Sequence, residues 1–139
     1  MSLFYTTCTV PCDNLFLRDN GDFQLIRGGD VAPLMIGHDY ILAERSLAKK
    51  IEELASNVTR KPARIIRRRT NETMESHDAL IIVDFVDKND INNHVESDEK
   101  ACYIYGSCYL FVTHKLMRAL WSEYSNIIEF SKGLRGFLG

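Results

Sequence analysis

Two stretches of this chain bring together residue types that could do chemistry. Ser107 and Cys108 stand seven and six residues before His114. A hydroxyl or thiol becomes a nucleophile when a base lies within hydrogen-bond reach and a third group orients that base. Such a set would make a small thiol or hydroxyl enzyme. However, Thr113 and His114 have the pattern of a helix start, while Ser107 and Cys108 precede a strand, so nothing local turns them toward one another. The favoured reading is a structural thiol and a surface histidine, and no catalytic residue is assigned. The second stretch carries Asp84, Asp87 and Asp90 at intervals of three. On a helix that spacing would gather the carboxylates, but the β-rich flanks argue for a solvated acidic loop instead, and the calcium-loop pattern is absent. The cysteines Cys8, Cys12, Cys102 and Cys108 are spaced C-x3-C and C-x5-C. Neither spacing is a zinc knuckle, so they read as small apolar residues. The histidines are scattered, and Gly28-Gly29 lacks a phosphate-loop context and reads as a turn. No metal or cofactor is expected.

Charge is distributed unevenly along the chain. Arg60, Lys61, Arg64, Arg67, Arg68 and Arg69 form a basic run, six of the seventeen Lys and Arg residues. Asp84, Asp87, Asp90, Glu96, Asp98 and Glu99 form an acidic one. Opposed patches on a nearly neutral protein steer association with a complementary partner. Three readings follow for the basic run. It could be a second partner-binding patch through Arg64, Arg67, Arg68 and Arg69, a nucleic-acid contact, or a sheet edge guarded by arginines. Base stacking wants aromatic residues interleaved with the basic ones, and this run has none in sequence.

The elements that must position these residues follow from periodicity. YLFVTHKLMRALWSEY, beginning at Tyr109, repeats the pattern of YILAERSLAKKIEEL, beginning at Tyr40. Each reads as a short apolar strand followed by a helix with one apolar face, Leu47, Ile51 and Leu54 at i, i+4 and i+7 in the first and Leu116, Leu120 and Tyr124 at i, i+4 and i+8 in the second. The helices are expected over Glu44–Ala55, with Glu44 in the first turn, and over His114–Tyr124, with Thr113 as N-cap. Strands are expected over Leu3–Val10, Phe23–Ile26, Tyr40–Leu42, Ala63–Arg69, Tyr103–Tyr105, Tyr109–Val112 and Ile127–Phe130. Ala79–Val86 reads as a central strand buried on both faces near its start. Val31–Gly37 and Asp87–Lys100 read as loops. Isolated helices of this length are marginal in water and need a sheet to pack against. The expected fold is therefore one α+β domain over residues 1–139, with a mixed, mostly antiparallel sheet and two principal helices.

Composition bounds the function. A hydrophobic fraction of 45% and a charged fraction of 26% are those of an ordinary globular domain. A net charge of −2 argues against a dedicated nucleic-acid binder. No apolar run is long enough to span a membrane, and the first residues lack a basic leader, so the cytoplasm is the expected compartment.

The order of these segments resembles a family of bacterial immunity proteins from polymorphic-toxin and contact-dependent growth inhibition systems. The residues that carry the likeness lie between positions 38 and 130. They are a strand–helix–strand unit, the strand HDALIIVDFVD, the acidic VESDE, and a last unit running through Leu110–Val112, Thr113, Leu116, Leu120 and Ile128-Glu129-Phe130. The resemblance implies an antitoxin without catalysis of its own, binding a cognate toxin domain and blocking its active site, with no membrane or direct nucleic-acid partner. Toxins of this kind include nucleases with basic clefts, which would place Asp84, Asp87, Asp90, Glu96, Asp98 and Glu99 at the contact.

Overall fold

The computed structural model describes residues 2–12, 14–26, 30–95, 98–107 and 109–134. Within them the chain forms β1 (Phe4–Cys8), β2 (Leu15–Leu17), β3 (Phe23–Leu25), β4 (Leu34–Gly37), β5 (Tyr40–Glu44), α1 (Arg45–Leu54), β6 (Val58–Pro62), β7 (Ile65–Arg67), β8 (Thr73–Met74), β9 (His77–Ile82), α2 (Lys88–Asn92), β10 (Cys102–Tyr105), β11 (Tyr109–Val112), α3 (His114–Tyr124) and β12 (Ile128–Lys132). The fold is α+β, as expected. The single expected sheet is instead three four-stranded sheets, ordered β10-β11-β1-β12, β4-β5-β9-β6 and β2-β3-β7-β8. All pairings between these strands are antiparallel except β3 with β7.

The sequence repeat is the surface trace of a larger one. In one half, the hairpin β4–β5 leads into α1 and β6, and β9 lies between β5 and β6, antiparallel to both. In the other half, the hairpin β10–β11 leads into α3 and β12, and β1 occupies the same intervening position. Each half is thus a split β-α-β unit with a preceding hairpin. The registers agree throughout. Ala43 pairs with Asp78 and Val112 with Phe4. Val58 pairs with Ile82 and Ile128 with Cys8. Phe4 therefore corresponds to Asp78, Thr6 to Leu80 and Cys8 to Ile82. The intervening strand comes late in one half and first in the other, so the second half is a circular permutation of the first.

Both helices point one face into a shared core. Leu47, Ala48 and Ile51 of α1 and Leu116 and Leu120 of α3 meet Leu34, Ile41, Val58 and Leu80 from one sheet and Leu110, Val112 and Ile128 from the other. The far face of β4-β5-β9-β6 packs on the third sheet through Met35, Leu42, Leu25 and Ile65. A smaller core joins Leu3 and Phe111 to Ile91 of α2. The helix starts differ. Thr113 Oγ1 accepts from Leu116 N at 3.4 Å and also from Ala101 N at 3.1 Å. Glu44, expected inside the first turn of α1, is instead its N-cap residue and makes no side-chain cap. The α1 start is tied by Arg45 N donating to Ser76 O at 3.0 Å.

Three further expectations are corrected. Val31–Gly37 contains strand β4, because Leu34 and Met35 are buried on opposite faces of their sheet. The Ala79–Val86 strand starts earlier and ends at Ile82, and its first four residues are buried. Asp87–Lys100 is not all loop, since Asp87 accepts from Asn89 N at 2.9 Å and Asp90 N at 3.0 Å and so caps α2. A negative side chain at a helix start satisfies free N–H groups, which here outweighs the β-rich flanks.

Truncating Leu116 or Leu120 to Ala should destabilise the protein by about 2–5 kcal/mol through lost burial and a cavity. Denaturant titration measures it, and a loss below about half a kcal/mol at both positions would contradict the shared core.

Candidate functional site

The acidic stretch does not form one cluster. Asp84 is exposed and accepts from Asn57 Nδ2 at 2.8 Å, while the same amide bridges to Cys102 O at 2.7 Å and accepts from Cys102 N at 3.0 Å. Glu99 accepts from Ser56 Oγ at 3.2 Å. Burial first, then the Glu99 and Asp84 carboxylates, push the Tyr103 phenol above its usual value. His94 packs against the same ring, with centroids 5.6 Å apart. Asp87 and Asp90 belong to α2 instead, one as its cap and one in its first turn. Asp98 is fully exposed, 3.7 Å from Lys115. Glu96 lies outside the described residues. Among the described residues no three side chains gather in a way that could hold a metal ion.

What the sequence did not suggest is the apolar surface beside these acids. Val83 and Phe85 are 70% and 69% exposed, and Val95 more so. An apolar run ordinarily signals burial, but β9 loses its neighbour β6 after Ile82. Phe85 then bridges to Ile104 of β10, with Val86 N donating to Ile104 O and Ile104 N to Asp84 O, both at 3.0 Å. Phe85 walls a groove of about 310 Å³ whose floor is Ile41, Leu80, Ile82 and Ile104, with Asp39 and Ser107 at its rim.

Half of the basic run is occupied within the fold. Arg60 Nη1 donates to Asp78 Oδ2 at 2.6 Å and Arg60 Nε to Glu52 Oε1 at 3.1 Å. The Asp78 hydrogen bond leads the causes that hold the Arg60 guanidinium above its usual pKa. Asp78 is fully buried and also accepts from Arg45 Nε at 3.3 Å. Arg64 pairs with Asp22 at 3.3 Å and Arg67 with Asp30 at 3.5 Å. Lys61, Arg68 and Arg69 are exposed, without an ion pair among the described residues. The third sheet supplies an aromatic that the run lacks in sequence. Phe16, 57% exposed, pairs with Gln24, and Gln24 with Ile66, so Phe16 and Ile66 share one face of the third sheet, and Arg64 and Arg68 adjoin the two ends of β7.

Ser107 and His114 occupy different places. Ser107 sits in the β10–β11 turn, where its carbonyl accepts from Asp39 N at 3.4 Å. His114 stacks on Phe4 with centroids 5.7 Å apart and lines a separate groove of about 490 Å³ with Met117, Trp121 and Phe130. Cys108 lies outside the described residues. Burial pushes the Cys102 thiol up to about 12, which suits a packing residue and leaves almost no thiolate near neutral pH.

No described helix is long and apolar enough to cross a membrane. No protein-family model matches the chain, and no curated protein or solved structure matches it at a significant level.

Replacing Asp78 by Ala should cost about 1.5–3 kcal/mol, the range for hydrogen bonds to a charged group, because both arginines can turn to water. Arg60→Met should destabilise more than Asp78→Ala, since it leaves a buried carboxylate with one partner. Thermal or denaturant unfolding ranks the two, and the reverse order would show that Asp78 does not need Arg60.

Proposed function

We propose that this protein is an immunity protein that binds and neutralises a cognate toxin domain in the cytoplasm, within a contact-dependent growth inhibition or related polymorphic-toxin system. The observation that carries the reading is the juxtaposition of exposed carboxylates with an exposed apolar groove. Asp84 stands exposed between Val83 and Phe85 and Asp39 at the rim of the groove, with Asp90, Asp98 and Glu99 also solvent-facing, a composition suited to covering a basic, phosphate-binding cleft. The sequence resemblance points the same way. On this reading the protein acts by occlusion, and its carboxylates stand where a nucleic-acid backbone would lie.

The test is coexpression with the C-terminal domain encoded by the gene immediately upstream, followed by co-purification and a growth-protection assay. Asp87 is a poor position for charge reversal because it caps α2. Asp90→Lys with Asp98→Lys should slow association roughly tenfold at low salt, with the difference shrinking as salt screens exposed charges. Glu53→Lys with Glu129→Lys, exposed on α1 and β12, makes the same charge change elsewhere. Equal effects from the two pairs would leave net charge, and no particular surface, as the cause.

A second reading has one observation in its favour, the shared face of Phe16 and Ile66 with the exposed Arg68 at the end of β7. Such a face can stack a base and hold a phosphate, which would make the third sheet a single-stranded nucleic-acid surface. A fluorescent oligouridylate should then bind with strong salt dependence and lose affinity on Phe16→Ala. No binding at low salt removes this reading.

A further inference from the structure

The two halves of the fold present the same seam twice, and the difference between the seams carries an inference. Where β9 runs on toward β10, the groove is floored by Leu80 and Ile82 and walled by Phe85. Where β1 runs on toward β4, the corresponding groove, of about 230 Å³, has Thr6, Cys8 and Pro11 at those positions. For Thr6 and Cys8 the correspondence follows from the registers, which run in parallel as far as Ile82 and Cys8; Pro11 matches Phe85 by count along the chain. Folding therefore does not require branched aliphatics in the floor, since the same strand register carries threonine and cysteine there. Phe85 is also held. Hydrogen bonds on either side pin its backbone to Ile104, yet its ring is mostly in water. A fixed, exposed aromatic beside an apolar pocket is the form that an interface anchor takes, because little further freedom is lost on binding.

We propose that the Phe85 groove is the energetic centre of the toxin contact, receiving an apolar side chain from a basic face of that partner protein. This rests on the immunity reading and deepens it. Charge complementarity selects the occupant. Asp39 sits at the rim, and Asp84, Asp87 and Asp90 flank Phe85 along the chain against Lys88 alone. The carboxylates then guide encounter, while the groove sets how long the complex lasts, since exposed rim charges add little to affinity and buried anchors dominate it.

The kinetics of binding to the immobilised upstream-encoded toxin domain separate these roles. Phe85→Ala should raise the dissociation rate roughly thirtyfold or more, as removal of an anchor does, with the association rate and its salt dependence nearly unchanged. Asp90→Lys with Asp98→Lys should do the reverse. Val10→Ala, in the corresponding groove, is the control and should alter neither rate. Phe85 is exposed, so its replacement leaves the core intact, and an unchanged melting temperature verifies that. Should a complex form while Phe85→Ala dissociates within threefold of the wild type, or no faster than Val10→Ala, the anchor is overturned and the immunity reading stands. If the wild-type protein forms no complex with that domain, the immunity reading falls and takes the anchor with it.

Discussion

One buried carboxylate holds half of this molecule in register. Asp78 lies in β9 opposite Ala43 of β5 and Pro62 of β6, with its two oxygens taken by Arg45 and Arg60. Arg45 is the first residue of α1, and Arg60 stands in β6 while also gripping Glu52 of α1. The carboxylate therefore fixes where the helix begins, how far the returning strand slides, and which strand fills the gap between them. A one-residue slip of β9 would turn Asp78 outward and put its neighbours on the wrong faces. A buried carboxylate without such partners would cost several kcal/mol, so the two arginines are a condition of this register.

The other half reaches the same geometry by opposite chemistry. At the positions of Asp78, Arg45, Arg60 and Glu52 stand Phe4, His114, Phe130 and Trp121. The ion-pair contact between Arg45 and Asp78 becomes a stacked contact between His114 and Phe4. Packed rings of similar bulk can replace a buried ion pair without loss, because no charge has to leave water. Each solution leaves its own surface: the charged half presents a closed network, and the aromatic half an open groove beside Trp121.

This substitution explains which features could be read from the sequence. The two longer helices, α1 and α3, and the Thr113 cap depend on residues a few positions apart, and periodicity found them, while the single turn and a half of α2 was too short to show a period. The repeat was visible in the strand leading into each of these helices, β5 and β11, for the same reason. The three sheets were not, because β1 joins a unit more than ninety residues away and β4 is short and lacks alternation. The acidic and basic runs were visible as runs, but their division of labour was not. Arg60 is committed to Asp78, Arg64 to Asp22 and Asp87 to α2, all through partners chosen by folding. Phe85 read as part of the central strand because it belongs to an apolar run, and its exposure depends on where β6 begins, opposite Ile82.

A fold built of two matched halves offers an internal measure of what its own stability requires. Positions that differ in kind between the halves, while the backbone registers agree, are positions where folding accepts more than one answer. Asp78 and Phe4 form such a pair, but each is satisfied inside its half. Phe85 and Pro11 differ in another way. Pro11 ends a segment and has no N–H with which to continue a ladder. Phe85 continues one and leaves its ring in water. An exposed phenylalanine gains nothing for the folded monomer from its apolar area, because that area stays hydrated in both states. Its stabilising potential is realised only when something covers it, and the surrounding carboxylates narrow what can approach. The asymmetry of the seams is therefore what folding alone leaves unexplained, and it is where recognition has the most to act upon.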